Sequence, residues 1–364
     1  MDYRIHPKTG DKISVIGIGT GPIFEASEQD AVKALCFGYE QGVNYVDFAT
    51  AGAKTFTYAG EAFASVRKDM LYQIHFGANY ETGAYGWTTD CDVIKRQVEW
   101  QLRELKTDYI DYGFIHCQDE DADWAKFRDG GALSCLLELK RAGVVKHIGL
   151  SSHTPALAGK ILDSGLVDQL MFSINPAYDY QHGEFAIGSA SERMQLYRRC
   201  EAEKIGISVM KPFSAGQLLD ARTSPFGKAL TKAQCIQYAL DKPGVLTVLP
   251  GIRGLNDMKE ALAFPDASPE ERDYSVIGTF TPQDMTGTCV YCSHCQPCPA
   301  GLDIALINKY YDLALAGDAL AADHYAKLER KASACIGCGH CDRRCPFHVK
   351  QADRMREIAA HFGA

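Results

Sequence analysis

Apolar and polar positions along this chain follow two alternating periods. Short apolar runs of strand length cover 43–47, 70–76, 109–115, 145–150, 169–174, 207–210 and 245–249. Between them lie longer stretches in which apolar residues recur every three or four positions, the helical period. The clearest helix follows Thr89 or Asp90 as its cap and carries Ile94, Val98, Leu102 and Leu105 as one stripe. Another starts at Ser27, aligns Val32, Leu35, Cys36 and Tyr39, and closes at Gly42. Further helices are predicted at 61–67, 132–142, 155–163, 191–204, 230–241 and 255–263. Residues 3–18 predict a hairpin, in which Tyr3 and Ile5 face Ile13 and Val15 across Lys8-Thr9-Gly10-Asp11, and then a first strand. Eight strands alternating with eight helices over about 250 residues is the size and order of a TIM barrel. A doubly wound sheet fits less well, because the spacing is even and no second half-domain appears. The chain thus divides into a barrel over 1–265, a linker over 266–285 rich in Pro, Asp, Glu and Thr, and a small C-terminal unit over 286–364. In that unit Leu306, Ile307, Tyr310, Leu313 and Ala314 predict a helix.

Composition narrows the function classes. The 364 residues leave room for one large and one small domain. A net charge of −8 argues against general nucleic-acid binding. The first residues, MDYRIHPKTGDKIS, lack the apolar core of a secretory signal. No run of about 18 apolar residues predicts a membrane span. A reducing cytoplasm is the expected compartment. The run Ile16-Gly17-Ile18-Gly19-Thr20-Gly21 lacks the third glycine and downstream acid of a dinucleotide fingerprint, so it reads as a tight turn at a strand end.

Cysteine placement changes the picture most. Eight of the 14 cysteines fall in two runs: Cys289, Cys292, Cys295 and Cys298 before Pro299, then Cys335, Cys338, Cys341 and Cys345 before Pro346. Thiolates separated by two residues can point at one centre, and soft sulfur ligands select iron–sulfur, zinc or copper(I). Disulfides need an oxidising compartment. Structural zinc favours paired two-residue gaps rather than triplets followed by Cys-Pro. The second run has the spacing of bacterial ferredoxins, where three thiolates hold one cubane and the fourth reaches its neighbour. The first run is one residue short before Cys298. The stretch resembles a two-cluster 4Fe–4S ferredoxin module, of α-helical type given the helix between the runs. That resemblance implies one cluster on Cys289, Cys292, Cys295 and Cys345, and another on Cys335, Cys338, Cys341 and Cys298.

Active sites of TIM barrels lie at the C-terminal strand ends. Those ends carry Asp47, His75, His116, Cys117, Ser151, Ser152, His153, Asn175, Lys211, Gly251 and Arg253. Gly42-Val-Asn-Tyr-Val-Asp47, Gly60-Glu61-Ala62, Thr107-Asp-Tyr-Ile-Asp-Tyr-Gly-Phe-Ile-His116, Lys146-His-Ile-Gly-Leu-Ser151 and Leu249-Pro-Gly-Ile-Arg253 resemble the aldo/keto reductase family over roughly residues 10–265. With the cysteine runs, the chain resembles the subgroup that carries a C-terminal 4Fe–4S domain. The resemblance implies carbonyl chemistry by an Asp, Tyr, Lys and His. Asp47 and His116 match. Gly52 stands at the tyrosine position and His75 at the lysine position. NAD(P)H contacts would fall at Ser151, Asn175, Lys211, Gly251 and Arg253. Ser152 and Met171 replace the family's Asn and Gln, which leaves nicotinamide binding open. The expectation is an oxidoreductase acting on a small organic substrate. Asp47, His75 and His116 would move protons, and two 4Fe–4S clusters would pass electrons to or from the substrate, with a ferredoxin- or flavodoxin-type protein as the redox partner. The alternatives are an NAD(P)H-dependent carbonyl reductase with accessory clusters, redox-neutral elimination, a non-catalytic electron carrier or scaffold, and a metal held by His75, His116 and His153 with Asp47. Lys54 and Tyr58, on what reads as a loop, and Lys211 are the reserve proton donors, and Cys117 reads as a packing thiol.

Overall fold

Eight parallel strands form the barrel: β1 (Ile18–Gly19), β2 (Tyr45–Asp47), β3 (Leu71–Phe76), β4 (Ile110–Ile115), β5 (Val145–Ser152), β6 (Gln169–Ser173), β7 (Gly206–Met210) and β8 (Val245–Val248). The structure is a computed structural model and describes residues 1–363 apart from 184, 280–286, 294, 316–317, 319 and 346. Parallel bridges Ile16↔Val248 and Gly19↔Gly251 close β8 onto the first strand. At that seam a Cβ on Gly19 would lie 2.9 Å from the carbonyl oxygens of Leu249 and Pro250. The glycine-rich strand end therefore serves backbone approach at the closure.

Helices Glu28–Glu40, Lys54–Phe63, Cys91–Glu104, Ala132–Arg141, Pro155–Leu162, Ala190–Ala202, Lys232–Leu240 and Leu255–Leu262 surround the strands. Ser27 and Asp90 cap their helices through side-chain oxygens, and Ser189 and Thr231 form capping boxes. The first helix buries Ala31, Ala34, Leu35 and Gly38, so its inner stripe is rotated toward small residues that admit close packing. The helix expected at 61–67 starts earlier, because Thr55, Phe56, Ala59 and Phe63 make one buried face over Lys54–Phe63. Lys54 and Tyr58 are consequently helical. An additional helix, Asp121–Asp129, buries Trp124 and Phe127 among acidic neighbours that hid its period in the sequence.

The N-terminal hairpin pairs Tyr3↔Ser14, Arg4↔Ile13 and Ile5↔Lys12, one residue away from the expected register. His6 is the cause. Its Nδ1 accepts from the backbone of Lys8 and Thr9, and the turn runs from His6 to Asp11. Ile5 is left 59% exposed, while Ile13 is buried.

The expected linker is partly built into the barrel. Short helical turns at Phe264–Asp266, Pro269–Arg272 and Ser275–Thr279 follow the last barrel helix. Tyr274 and Ile277 join the main core, and Tyr274 donates to Asp241 Oδ2 at 2.8 Å. The rest of the expected linker, 280–285, lies outside the described residues. The C-terminal unit has helices Ile304–Leu315, Ala321–Ala326, His340–Arg344 and Gln351–Phe362. Leu302, Ile304, Ile307, Tyr325, Met355 and Ile358 form its own core. Val290, Tyr291, Ala305, Phe347 and Val349 instead belong to the barrel's core. Across this junction Arg198 donates to Tyr291 Oη and Asp312 Oδ2, each at 2.9 Å, and Lys309 meets Glu201 at 3.0 Å. Among the described residues no helix is long and apolar enough to cross a membrane.

Candidate active site and cluster sites

Side chains alternate along a strand, so Gln73 and His75 share one face of β3, and Gln73 pairs in register with Asp47 of β2. Asp47 Oδ1 accepts from Gln73 Nε2 at 2.9 Å, from His75 Nε2 at 2.7 Å and from the Ala49 amide at 3.3 Å. A polar layer below fixes Gln73. Tyr45 and Ser208 donate to its Oε1 at 2.6 and 3.0 Å, and Gln169 donates to Tyr45 Oη at 2.8 Å. A carboxylate only accepts, which assigns the Nε2 proton to His75 and leaves its Nδ1 bare. His116 Nδ1–H then donates to His75 Nδ1 at 2.9 Å, and His116 Nε2 accepts the Tyr85 hydroxyl at 2.8 Å. An unbroken line of hydrogen bonds thus runs from Asp47 to Tyr85. Burial and the neighbouring His75 push His116 well below the usual imidazole range. Burial, with Cys117 nearby, pushes Tyr85 up to about 12.

Tyr85 arrives on a hairpin, Ala78–Asn79 paired with Gly86–Trp87, that is hooked onto the loop after β2. The Tyr85 amide donates to Ala51 O and the Ala53 amide to Gly83 O, both at 3.0 Å, and Gly52 bridges Ala84. Gly52 is the position where the family resemblance expects tyrosine. A Cβ there would lie 2.7 Å from the ring of Phe24, so it has no room for a side chain. Tyr58 is buried with its hydroxyl toward Ala26 O at 3.4 Å, and Lys54 is exposed, so neither joins the line.

A second cluster stands at the ends of β4, β5 and β7. His153 Nδ1 bonds Asp119 Oδ2 at 2.8 Å, and Lys211 Nζ bonds His153 Nε2 at 2.7 Å. Cys117 Sγ donates to Asp119 Oδ2 at 3.5 Å. Burial works to raise Asp119, but the hydrogen bond and charge of His153 prevail and hold it at about 2. Among the described residues the group with ligand atoms within 4.8 Å of one another is Cys117, Asp119 and His153, not the three histidines.

Beside Asp47 opens a cavity of about 370 Å³, lined by Gly19, Met171, Lys211, Lys232, Gly251 and Arg253 among others. Ser151 and Asn175 are not in its lining. Asn175 is instead a helix cap that accepts from the Tyr178 amide at 2.9 Å and donates to Lys211 O at 2.8 Å. Two cations of this cavity have carboxylate partners, Lys232 with Glu260 at 2.6 Å and Arg253 with Asp257 at 3.5 Å, while Lys211 bonds His153.

The cysteines separate into two sets. Cys289, Cys292, Cys295 and Cys345 line one small cavity together with Tyr291 and Phe347. Cys298, Cys335, Cys338 and Cys341 line another, against Leu302 and Met355. Four thiols around one apolar pocket match the donor set of a cubane cluster. None of the 14 cysteines is in a disulfide. The first cavity abuts the barrel's core, whereas Cys338 of the second is exposed.

The profile of the Aldo/keto reductase family matches residues 15–234. The chain belongs to this family. A 4Fe-4S dicluster domain profile matches residues 285–349 of the same reductase. It is 23% identical over 299 residues to "Uncharacterized oxidoreductase YqkF" of Bacillus subtilis (strain 168), covering 75% of this chain and 94% of that protein. It is 26% identical over 183 residues to "Protein tas" of Escherichia coli (strain K12), covering 42% and 53%. Among solved structures, aldo-keto reductase AKR11C1 from Bacillus halodurans (holo form) matches with a TM-score of 0.61 at 22% identity, over 75% of this chain and 94% of that one. At that identity the likeness concerns the fold. Sequence reading missed Gln73, Tyr85 and Asp119. Gln73 carried a readable signal, a polar residue two places before His75 on an apolar strand. Tyr85 carried none, since only the hairpin's tertiary contacts bring it to His116.

Proposed function

We propose that this reductase takes a small organic substrate at the barrel mouth and moves protons through Tyr85, His116, His75 and Asp47. Its reducing electrons would come through two 4Fe–4S clusters. The observation carrying this reading is the continuous line from Asp47 to Tyr85 beside a position 52 that is closed to a side chain. The line accepts one further proton without losing a bond. In the loaded form His75 donates from both nitrogens, to Asp47 and to His116 Nδ1, and His116 donates from Nε2 to Tyr85. The Tyr85 hydroxyl then points its proton at a substrate oxygen. Its release draws the His116 Nε2 proton onto the phenolate oxygen and returns His75 to the neutral form. His116 stays neutral in both forms, in keeping with its burial, and the Asp47 carboxylate balances the transient imidazolium.

Bound at the two cysteine sets, the clusters would supply electrons one at a time, from a ferredoxin- or flavodoxin-type donor. Anaerobically purified protein should then carry about eight irons and eight acid-labile sulfides per chain. Addition of the true substrate should reoxidise the chemically reduced protein. About four irons would leave one set as a cluster site, and stoichiometric zinc without sulfide would overturn the reading. NAD(P)H-dependent carbonyl reduction is the second reading, favoured by the cavity of about 370 Å³ with Lys232 and Arg253 on its wall. Met171 in the β6 lining and the commitment of Asn175 to backbone weigh against a nicotinamide grip. NADPH should bind weakly or not at all in a fluorescence titration. Micromolar binding with hydride transfer to a simple aldehyde would establish the second reading instead.

A further inference from the structure

Lys211, directly after β7, has a φ of 55°, in the left-handed region that favours glycine. A lysine persists there only where its surroundings fix it, and such positions concentrate at functional sites. Its Nζ meets His153 Nε2 at 2.7 Å and lies 3.8 Å from the centroid of the Phe185 ring. Phe185 also packs on the His153 ring, with centroids 4.4 Å apart, so the imidazole and the amine share one apolar cover. Asp119 holds His153 from the other side. The ring Nδ1–H donates to its Oδ2 at 2.8 Å, and the His153 backbone N–H donates to its Oδ1 at 2.5 Å. Both ring nitrogens are thereby engaged by side chains, which favours a proton relay over a metal ligand. An amine beside an imidazole that a carboxylate orients is the arrangement of a base-activated nucleophile. Lys211 also lines the cavity of about 370 Å³, together with Asp47, Met171, Met210 and Phe213. A cavity of that size suits a small ligand. The other lysine on its wall, Lys232, meets Glu260 at 2.6 Å and Asp257 at 3.7 Å. Carboxylates favour the charged amine over the nucleophilic one.

We propose that Lys211 is a nucleophile that forms a Schiff base with an aldehyde or ketone substrate in this cavity, with His153 as its base. The inference rests on the reading that a small organic substrate enters at the barrel mouth, and on nothing about the clusters. The Lys211 ammonium passes a proton along its bond to His153 Nε2, and the Asp119 carboxylate balances the imidazolium that results. The nitrogen lone pair then forms a C–N bond at the carbonyl carbon, and the C=O π pair moves to oxygen. That oxygen takes the proton from His153. His153 next takes one proton from the nitrogen and gives it to the leaving hydroxyl, so water departs and an iminium remains. The iminium carries the charge that the ammonium began with, and the step consumes no oxidant or reductant. An iminium accepts electrons more readily than the neutral carbonyl, which suits the reduction proposed above. The substrate class that follows is a carbonyl compound small enough for the cavity.

The test is reductive trapping on the full-length, anaerobically purified protein. Propanal is added with cyanoborohydride, which reduces an iminium to a stable secondary amine, and peptide mass spectrometry locates the propyl groups over time. Lys211 should be labelled first, about 10²-fold faster than the exposed lysines, the lower end of what a positioned base contributes. Labelling spread evenly over the lysines, or led by Lys232, overturns the inference. His153→Gln keeps an acceptor for Lys211 but cannot take its proton. In that variant labelling of Lys211 should fall by about 10²-fold, to the rate of the exposed lysines, with circular dichroism unchanged. A folded His153→Gln protein that labels Lys211 at the wild-type rate also overturns it. A wild-type protein that is reoxidised by its true substrate yet labels Lys211 no faster than its exposed lysines counts against this inference alone. One that labels Lys211 first but is reoxidised by no carbonyl compound counts against the proposed function alone.

Discussion

Two imidazoles joined through their Nδ1 atoms share one proton on that bond, so His75 and His116 cannot both be protonated there. On the proposed mechanism, the 2.9 Å contact would be the point at which the line of hydrogen bonds reverses its direction. Loss of either end breaks it. His75→Phe and Tyr85→Phe should each lower turnover of the true substrate by about 10²–10⁴-fold, the range of a lost general acid or base, while cluster absorbance stays unchanged. Asp47→Asn should lower the rate and also shift the pH–rate profile, because an amide can donate to His75 Nε2 and reverse the line. A Tyr85→Phe protein with near-normal turnover would remove the phenol from the mechanism. Asp47 and His75 could be set side by side from the strand pattern alone, since both end adjacent apolar runs. Tyr85 could not, because its place depends on the hydrogen bond from its backbone N–H to the carbonyl of Ala51, 34 positions earlier in the chain.

Among the elements, the N-terminal hairpin closes the barrel end opposite the candidate site, and its turn is built on an imidazole. His6 Nδ1 accepts from two backbone amides, and its Nε2 faces Asp168 O at 3.1 Å. Burial, outweighing the pull of Asp168 and Asp11, holds His6 at about 4, and a proton on Nδ1 would oppose both amides. Between the usual imidazole value of about 6.5 and that figure, the unfolded chain binds the proton more readily than the folded one. Stability should therefore fall as pH drops from about 6.5 to 4, by at most about 3 kcal/mol from this group. His6→Asn keeps an acceptor for the turn amides and cannot titrate. Urea midpoints at pH 4.5 and 7 should lie closer together in that variant, and an unchanged gap would assign the loss to other groups. Most barrel strands and helices were legible because each carries its own period, and four of the helices also carry a side-chain cap. The hairpin register was not, because hydrophobic alternation does not reveal a side chain that lengthens the turn. Helix Asp121–Asp129 escaped notice for a related reason, its two buried aromatics being outnumbered by charge.

At the scale of the whole molecule, the C-terminal unit is clasped to the barrel around Asp312, which accepts from Arg198, Tyr291 and Arg354. Its side chain is 6% exposed and that of Arg198 19%. Arg198→Met leaves a buried carboxylate short of one cation, at a cost of about 3 kcal/mol. In a denaturant titration, cluster absorbance should then disappear before the barrel's circular dichroism, where the wild type loses both together. Coincident transitions in the variant would place the clasp's contribution elsewhere. The alternation of strands and helices, and the cysteine spacing, announced two units but not this shared packing. Tyr291 and Phe347 each lie within two residues of a cysteine of the set Cys289, Cys292, Cys295 and Cys345, and both are part of the barrel's own hydrophobic core. Without metal, the segments that carry them lose the centre that fixes their ends, and the barrel loses part of its covering. On the proposed reading, the supply of iron should then govern how much of the reductase survives quality control in the cell. A chelator added during growth should deplete the whole chain, barrel included, faster than it depletes its messenger RNA.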